Sequence, residues 1–205
     1  FLMQFNLPFI VIAFIVMLVT GLFSCVVSFA SVKLKDDYFI LASLGFQMIA
    51  YTILYNWTDV TRGPYGIPGI PNIKLLGILN ISGTWGYFVL TTLISGAVIW
   101  FFHKIKHAPY GRVLKAIRSD ELSVKALGRD TVMFKSWAFF LSAAFSGLAG
   151  LIYASYVSYI DPTSFTLDES IFIVSALFIG GVGNIKGPVL GAAFVVLLPE
   201  LLRFV

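Results

Sequence analysis

The sequence predicts an all-α integral membrane protein, a polytopic helical bundle of about five to six membrane segments. Three observations predict it. Hydrophobic residues make up 59% of the chain and charged residues only 12%, against roughly 25% charged in a soluble domain. The run from Leu7 to Ala30 carries no charge, and at about 1.5 Å per residue it exceeds the ~30 Å hydrocarbon core. The basic residues are gathered into a few loops, in the lopsided pattern that sets membrane topology.

The clear spans are Leu7–Ala30, Tyr38–Tyr55, Trp85–Phe102 and Trp137–Ile160, with two shorter segments at Ile171–Ile179 and Pro188–Val205. Strands are excluded as spans, because an open sheet in lipid leaves backbone groups unpaired and no barrel-like alternation runs through these segments. Trp57, Trp85 and Trp100 fall near span ends, where aromatic belts anchor a bundle. Cys25 has no partner cysteine in the chain and reads as a small packed residue. Phe1 replaces an initiator methionine and no basic n-region precedes the first apolar run, so a signal peptide is not expected. The chain reads as one transmembrane domain over 1–205, trimmed at its start and, since Val205 lies inside an apolar pattern, at its end.

Charge orients the bundle. Eight of the fourteen basic residues lie between His103 and Lys135, and Lys33 and Lys35 sit in the loop Val32–Asp37. The loop from Asp161 to Ser170 holds only acids: Asp161, Asp168 and Glu169. The positive-inside rule therefore places 32–37 and 103–136 in the cytoplasm of a cell whose inner or plasma membrane holds the chain. The net charge of +4 is thus topological, and no nucleic acid is expected as partner.

Within the loop 103–136, Ser119 followed by Asp120 and Glu121 reads as an N-cap with acids in the first turn. Leu122, Ala126 and Leu127 then recur at helical spacing, and Gly128 is placed as a stop. A short amphipathic helix over about 120–127 follows. It either lies on lipid headgroups or docks into the groove of a cytoplasmic protein.

Other features carry two readings each. Gly180, Gly181, Gly183 and Asn184, in a stretch that also holds Gly187 and Pro188, form either a broken helix lining a solute path or a tight cytoplasmic turn, which Lys186 favours. Ser142, Ser146, Gly150 and Ala154 recur every four residues, a small-residue stripe suited to close helix packing. Gly63, Pro64, Tyr65 and Gly66 belong to an outer loop of turn formers, either a docking surface or a rigid connector. Gln47 is polar inside an apolar span and must face protein or a pathway. With Gly45 beside it, it is the candidate contact for solute. His103 and His107 share a helical spacing, but no third ligand is near and Lys104 and Lys106 repel a cation, so no metal site is expected. Catalytic residues are not expected either: no constellation of acids, bases and nucleophiles is present.

An ordered set of segments resembles one family. Tyr110-Gly111-Arg112-Val113-Leu114-Lys115-Ala116-Ile117-Arg118, Asp120-Glu121 and Ala126-Leu127-Gly128 are similar to the cytoplasmic coupling segment of branched-chain amino-acid ABC importer permeases. Phe139–Gly150, Gly180–Asn184, Gly187–Ala192 and Leu198–Leu202 follow in the same order, with Asp37-Tyr38, Leu44-Gly45-Phe46 and Gly63–Ile67 upstream. The likeness is to the larger of the paired permeases. It implies a heterodimer with a second permease, two cytoplasmic ATPases that hold ATP and Mg, and an external solute-binding protein; this chain itself would hydrolyse nothing and carry no cofactor. It implies further that Asp120, Glu121, Ala126, Leu127 and Gly128 sit in the ATPase groove, flanked by Arg112 and Arg118. Leucine, isoleucine and valine are the implied solutes. The family also includes permeases for urea and short amides. A stand-alone ion-coupled carrier is disfavoured by the lack of ionisable residues inside the first four spans.

Overall fold

A computed structural model describes residues 8–31, 34, 36–75, 79–80, 83–181, 183 and 186–203. The chain is an all-helical, multi-pass membrane protein. Five stretches are long and apolar enough to cross a membrane. They correspond to α1 (Phe9–Ser31), α2 (Asp36–Asn56), α4 (Thr84–His107), α7 (Thr131–Val157) and α8 (Leu167–Gly180) with the 3-10 turn Pro162–Phe165 before it. A sixth long helix, α9 (Lys186–Leu202), completes the set. Smaller elements join them: α3 (Thr58–Thr61), α5 (Pro109–Ser119), α6 (Glu121–Ala126), and the two-residue strands β1 (Ile67–Pro68), β2 (Lys74–Leu75), β3 (Leu79–Asn80) and β4 (Tyr159–Ile160).

Two spans extend past their apolar runs at the basic end: α4 reaches His107 rather than Phe102, and α7 begins at Thr131 rather than Trp137. The reason is local: cations in the last turn of α4 and a capping aspartate before α7 stabilise helix ends that hydropathy does not register. At its other end α7 stops at Val157 rather than Ile160, because Ser158 turns into the left-handed region and Tyr159–Ile160 pairs as β4.

The bundle is organised on α1 against α7. Their contact is set by small residues, since in lipid there is no hydrophobic drive between helices and close packing decides. A side chain on Gly21 would strike the Phe140 ring at 2.6 Å, and one on Gly147 would overlap the Thr20 hydroxyl. Thr20 turns its own hydroxyl back to the carbonyl of Val16, so the polar atom is satisfied within its helix. A hydrogen bond crosses the pair: Ser28, fully buried, donates to Ser136 Oγ at 2.9 Å. The stripe Ser142, Ser146, Gly150 and Ala154 is only partly the packing face. Within this chain α7 buries Ala144, Leu148, Ile152, Ala154 and Ser155, while Ser142 and Ser146 are exposed and Gly150 has open space beyond its Cα.

A small cap closes the acidic end. β1 pairs antiparallel with β4, Ile67 opposite Ile160, and β2 pairs with β3. These strands lie outside the membrane segments. Gly66 has φ +63°, and a side chain there would meet the Ile160 carbonyl at 2.6 Å, so only glycine lets the loop lie flat on β4. Beneath the cap, the buried Tyr87 hydroxyl donates to the Ser155 carbonyl at 3.0 Å and accepts from the Ile73 amide at 3.3 Å. Tyr87 thereby ties the loop 57–83 to α4 and α7. Phe9, Ile73, Tyr87, Leu90, Leu148 and Ile152 form the packed core at this end.

α8 and α9 form a hairpin of backbone against backbone. A side chain on Gly180 would overlap the Gly187 carbonyl, and one on Gly191 would overlap the Ala176 carbonyl. Gly180 closes α8, and Gly181, at φ +91°, caps it by donating to Leu177 O at 3.0 Å. The tight turn is therefore what the described residues show here, not a broken helix. Its Gly183 carbonyl accepts from Lys106 Nζ at 3.3 Å, which puts the turn at the basic end beside the end of α4. Asn184 lies outside the described residues.

Candidate coupling segment and membrane cleft

The segment between α4 and α7 is two helices, not one. Pro109 suits a first helical turn, where its missing N–H is not needed, and α5 runs from there to Ser119. Ser119 is thus the last residue of a helix rather than a cap. The N-cap of α6 is Asp120, whose Oδ1 accepts from the amides of Leu122 at 2.9 Å and Ser123 at 3.2 Å. The Ser123 hydroxyl also donates to Asp120 Oδ2. These donors hold the carboxyl below its usual range. Asp120 is therefore committed to starting α6.

α6 ends in a Schellman turn: the Gly128 amide donates to Lys125 O at 2.9 Å and the Arg129 amide to Val124 O at 3.3 Å, with Gly128 at φ +75°. Asp130 then caps α7, accepting from Val132 at 3.1 Å and Met133 at 3.2 Å. Four residues, Leu127 to Asp130, separate a helix outside the membrane from a membrane span.

α5 folds back hard on α4, since a side chain on Gly111 would overlap the carbonyls of Ile105 and Lys106. Its Tyr110 ring stacks on Phe134 at 5.6 Å, and the hydroxyl donates to Phe134 O at 2.9 Å. Burial pushes the Tyr110 phenol up. Ile117 and Val124 are the buried apolar side chains of α5 and α6. Arg112, Lys115 and Arg118 point outward from α5.

The outward face of α6 carries Leu122, Ala126 and Leu127, the residues that recur at helical spacing. Val124 is the residue turned inward, whereas Leu122 and Leu127 are 74% and 81% exposed. Ala126 and Gly128 are exposed beside them. The inward face is chosen by contact with this chain's own helices, which helical spacing of Leu122, Ala126 and Leu127 does not reveal.

Glu121 does not project from this surface. Its carboxylate lies 2.9 Å from Lys125 Nζ and 2.5 Å from Lys135 Nζ, and accepts from the Thr131 hydroxyl at 2.9 Å. Thr131 is buried to 1% exposure. Hydrogen bonds from Lys135 and then Lys125 lower the Glu121 carboxyl from 4.5 to about 2. A carboxyl depressed on folding stabilises the fold above its unfolded pKa, and that contribution is lost as pH falls through the folded value. The window here is 4.5 down to about 2. The Tm gap between the native chain and Glu121→Gln is expected to hold from about pH 7 to about pH 5 and to narrow toward about pH 3. Thermal unfolding in detergent across that range checks this, and a gap that stays constant to the acid end would sink it.

The pathway candidates separate. Gln47 faces protein: its side-chain amide donates to Ser170 Oγ at 2.8 Å and Thr166 O at 3.3 Å, pinning α2 to the start of α8. Gly45 is exposed with open space beyond it. Gly180 serves the hairpin packing and Gly181 and Gly183 its turn, as described above. A cleft of about 810 Å³ instead runs along α4, α7 and α9, from Thr84 to Ile99 and Pro188. Thr91, Ser95 and Tyr153 bring hydroxyls to a wall that is otherwise mostly apolar, and among the described residues no charged side chain lines it. At the acidic end Gly63 and Gly66 are buried in the cap, while Pro64 and Tyr65 are displayed, Tyr65 at 83% exposure.

The family model described as branched-chain amino acid transport system / permease component matches residues 1–205. The chain is 30% identical over 208 residues to the high-affinity branched-chain amino acid transport system permease protein LivM of Salmonella typhimurium, covering 91% of this chain and 49% of that one. It is 32% identical over 173 residues to the probable LivM of Methanocaldococcus jannaschii, covering 84% and 50%. A more distant relative is the autoinducer 2 import system permease protein LsrC of Salmonella paratyphi B, 28% identical over 171 residues, covering 80% and 47%. The chain spans about half the length of these relatives. No solved structure matches. The bundle, its basic-end helix pair and this whole-length match agree, and the chain belongs to the family of permease components of branched-chain amino acid transport systems.

Proposed function

We propose that this chain is a transmembrane permease subunit of an ABC importer that carries branched-chain amino acids and takes its energy from ATPases on separate subunits. The observation that carries the reading is α6. A capped six-residue helix holds two exposed leucines away from the bundle while being tied to α7. Exposed leucines flanked by the cations of α5 suit the groove of a soluble protein, and the short link to α7 suits transmission of its motion. The basic end is then cytoplasmic, by the positive-inside rule. The acidic end, with Pro64 and Tyr65 displayed, faces the solute-binding protein. ATP and Mg belong to the partner subunits, and a second permease completes the pathway.

The α4/α7/α9 cleft supports an apolar solute, since its uncharged wall suits an aliphatic side chain. A hydroxylated solute is the second reading, favoured by similarity to the LsrC protein and to the ribose import permease protein RbsC of Haemophilus influenzae. The test is affinity purification from native membranes in mild detergent with mass spectrometry, followed by reconstitution with what is recovered. A second permease and ABC ATPases are expected, with ATP-dependent uptake of leucine, isoleucine and valine. Recovery of the chain alone in every detergent would overturn the importer reading. Uptake of ribose but not leucine would keep the importer and replace the solute.

A further inference from the structure

We infer that Glu121 is a positioning residue, the clamp that locks α6 to α7 so that movement of one becomes movement of the other. The inference rests on the importer reading and departs from what the family resemblance implies for Glu121, which is a place in the ATPase groove.

The geometry decides between those two roles. A residue that docks a partner needs free hydrogen-bonding capacity, and Glu121 directs most of its own inside the chain, three contacts on about four acceptor sites. Oε1 takes Lys125 and Thr131, and Oε2 takes Lys135. Two of these three partners, Thr131 and Lys135, belong to the first turns of α7. They are four residues apart and so share one face of that helix. Glu121 is thus a bridge between elements, whereas Lys125 is its neighbour within α6.

Apart from the bridge, α6 rests mainly on α5 rather than on α7. The helix has six residues, and both its ends are caps that fix where it starts and stops but not how it is rotated. Val124 is its buried side chain. The link Gly128–Asp130 includes a glycine in the left-handed region, a natural pivot. A charge-assisted bridge to a buried threonine and a lysine removes that freedom.

The clamp also lies on a continuous path into the bundle. Next to Lys135 is Ser136, which accepts the hydrogen bond from buried Ser28 of α1. Further along α7, Gly147 receives Thr20 of α1. A push on Leu122 and Leu127 therefore passes through Glu121 to α7 and from α7 to α1, the most closely interlocked pair of spans.

The test uses the complete transporter in proteoliposomes, comparing Glu121→Gln, Lys135→Met, and the charge swap Glu121→Lys with Lys135→Glu. Three quantities are read: ATPase subunits retained, ATP hydrolysed, and solute moved per ATP. The single variants are expected to retain the ATPases and hydrolyse ATP, with solute moved per ATP down about tenfold. The swap is expected to restore much of that yield, which a merely structural loss would not. If Glu121→Gln sheds the ATPases as thoroughly as a Leu122→Asp/Leu127→Asp variant does, Glu121 touches the partner and the clamp is wrong. If the single variants transport at the native yield, or if the swap restores nothing, it is also wrong. A native complex that contains no ATPase would instead sink the importer reading, and the clamp's role with it.

Discussion

Gly191→Val is expected to abolish recovery of folded protein. The side chain at this position would overlap the Ala176 carbonyl and crowd the Gly180 backbone. Backbone on both sides of the contact cannot swing aside as a flexible side chain can, so α8 and α9 must separate. Inserting even a methylene into a packed site commonly costs ~1–3 kcal/mol, and here the packing surface of an entire hairpin is lost with it. Since close packing by small residues is what associates helices in lipid, the cost is expected at several kcal/mol, comparable to the ~5–15 kcal/mol stability of a whole domain. Gly180→Val should behave alike, because its side chain would overlap Gly187. Gly96→Ala is the control: nothing lies within 4 Å of the added carbon. Size-exclusion chromatography of detergent extracts, with a thermal ramp, separates the cases. A monodisperse Gly191→Val protein melting at the native temperature would show that the hairpin does not pack as described.

Leu122→Asp combined with Leu127→Asp is expected to strip the ATPases from the complex while leaving the permease folded. Both side chains are mostly exposed, so their replacement costs the isolated fold little. At the centre of a protein interface a buried apolar anchor is commonly worth ~2 kcal/mol or more. Two such losses, with two charges left in an apolar groove, are expected to weaken association roughly a hundredfold or more. Pull-down of the ATPase subunits against titrated salt and detergent measures it. The same variant separates the two surfaces that the exposed leucines suit. If α6 lies on lipid headgroups, the ATPases stay bound and extraction from the membrane becomes easier instead.

The long spans were legible because hydropathy is additive along the chain: a run such as Leu7–Ala30 has one physical fate in water and lipid. The existence of a helix near 120–127 was legible too, since caps are local chemistry. Its start was misplaced by one residue because Ser119 and Asp120 are both good N-caps. The helix that precedes it, α5, decided between them by running through Ser119. The pathway residues fared differently. Gln47 was rightly kept from lipid, but a polar residue inside a span is equally satisfied by a pathway or by Ser170, and only coordinates name the partner. Glycine has the same double meaning: Gly180 and Gly187 look like a break in a helix, and they are a close crossing.

The amino-acid order alone thus determined the class, the number of long apolar segments, the basic and acidic ends, and the family, since each depends on composition or on short-range pattern. Tertiary structure alone decided that α6 buries Val124, that Glu121 reaches Thr131 and Lys135, that α7 rather than another span receives α1, and where the cleft lies. The last two are choices of neighbour between segments that are equally apolar. A helix that is hydrophobic on every side carries no sequence mark of which side meets protein, because lipid and protein interior solvate it almost equally well.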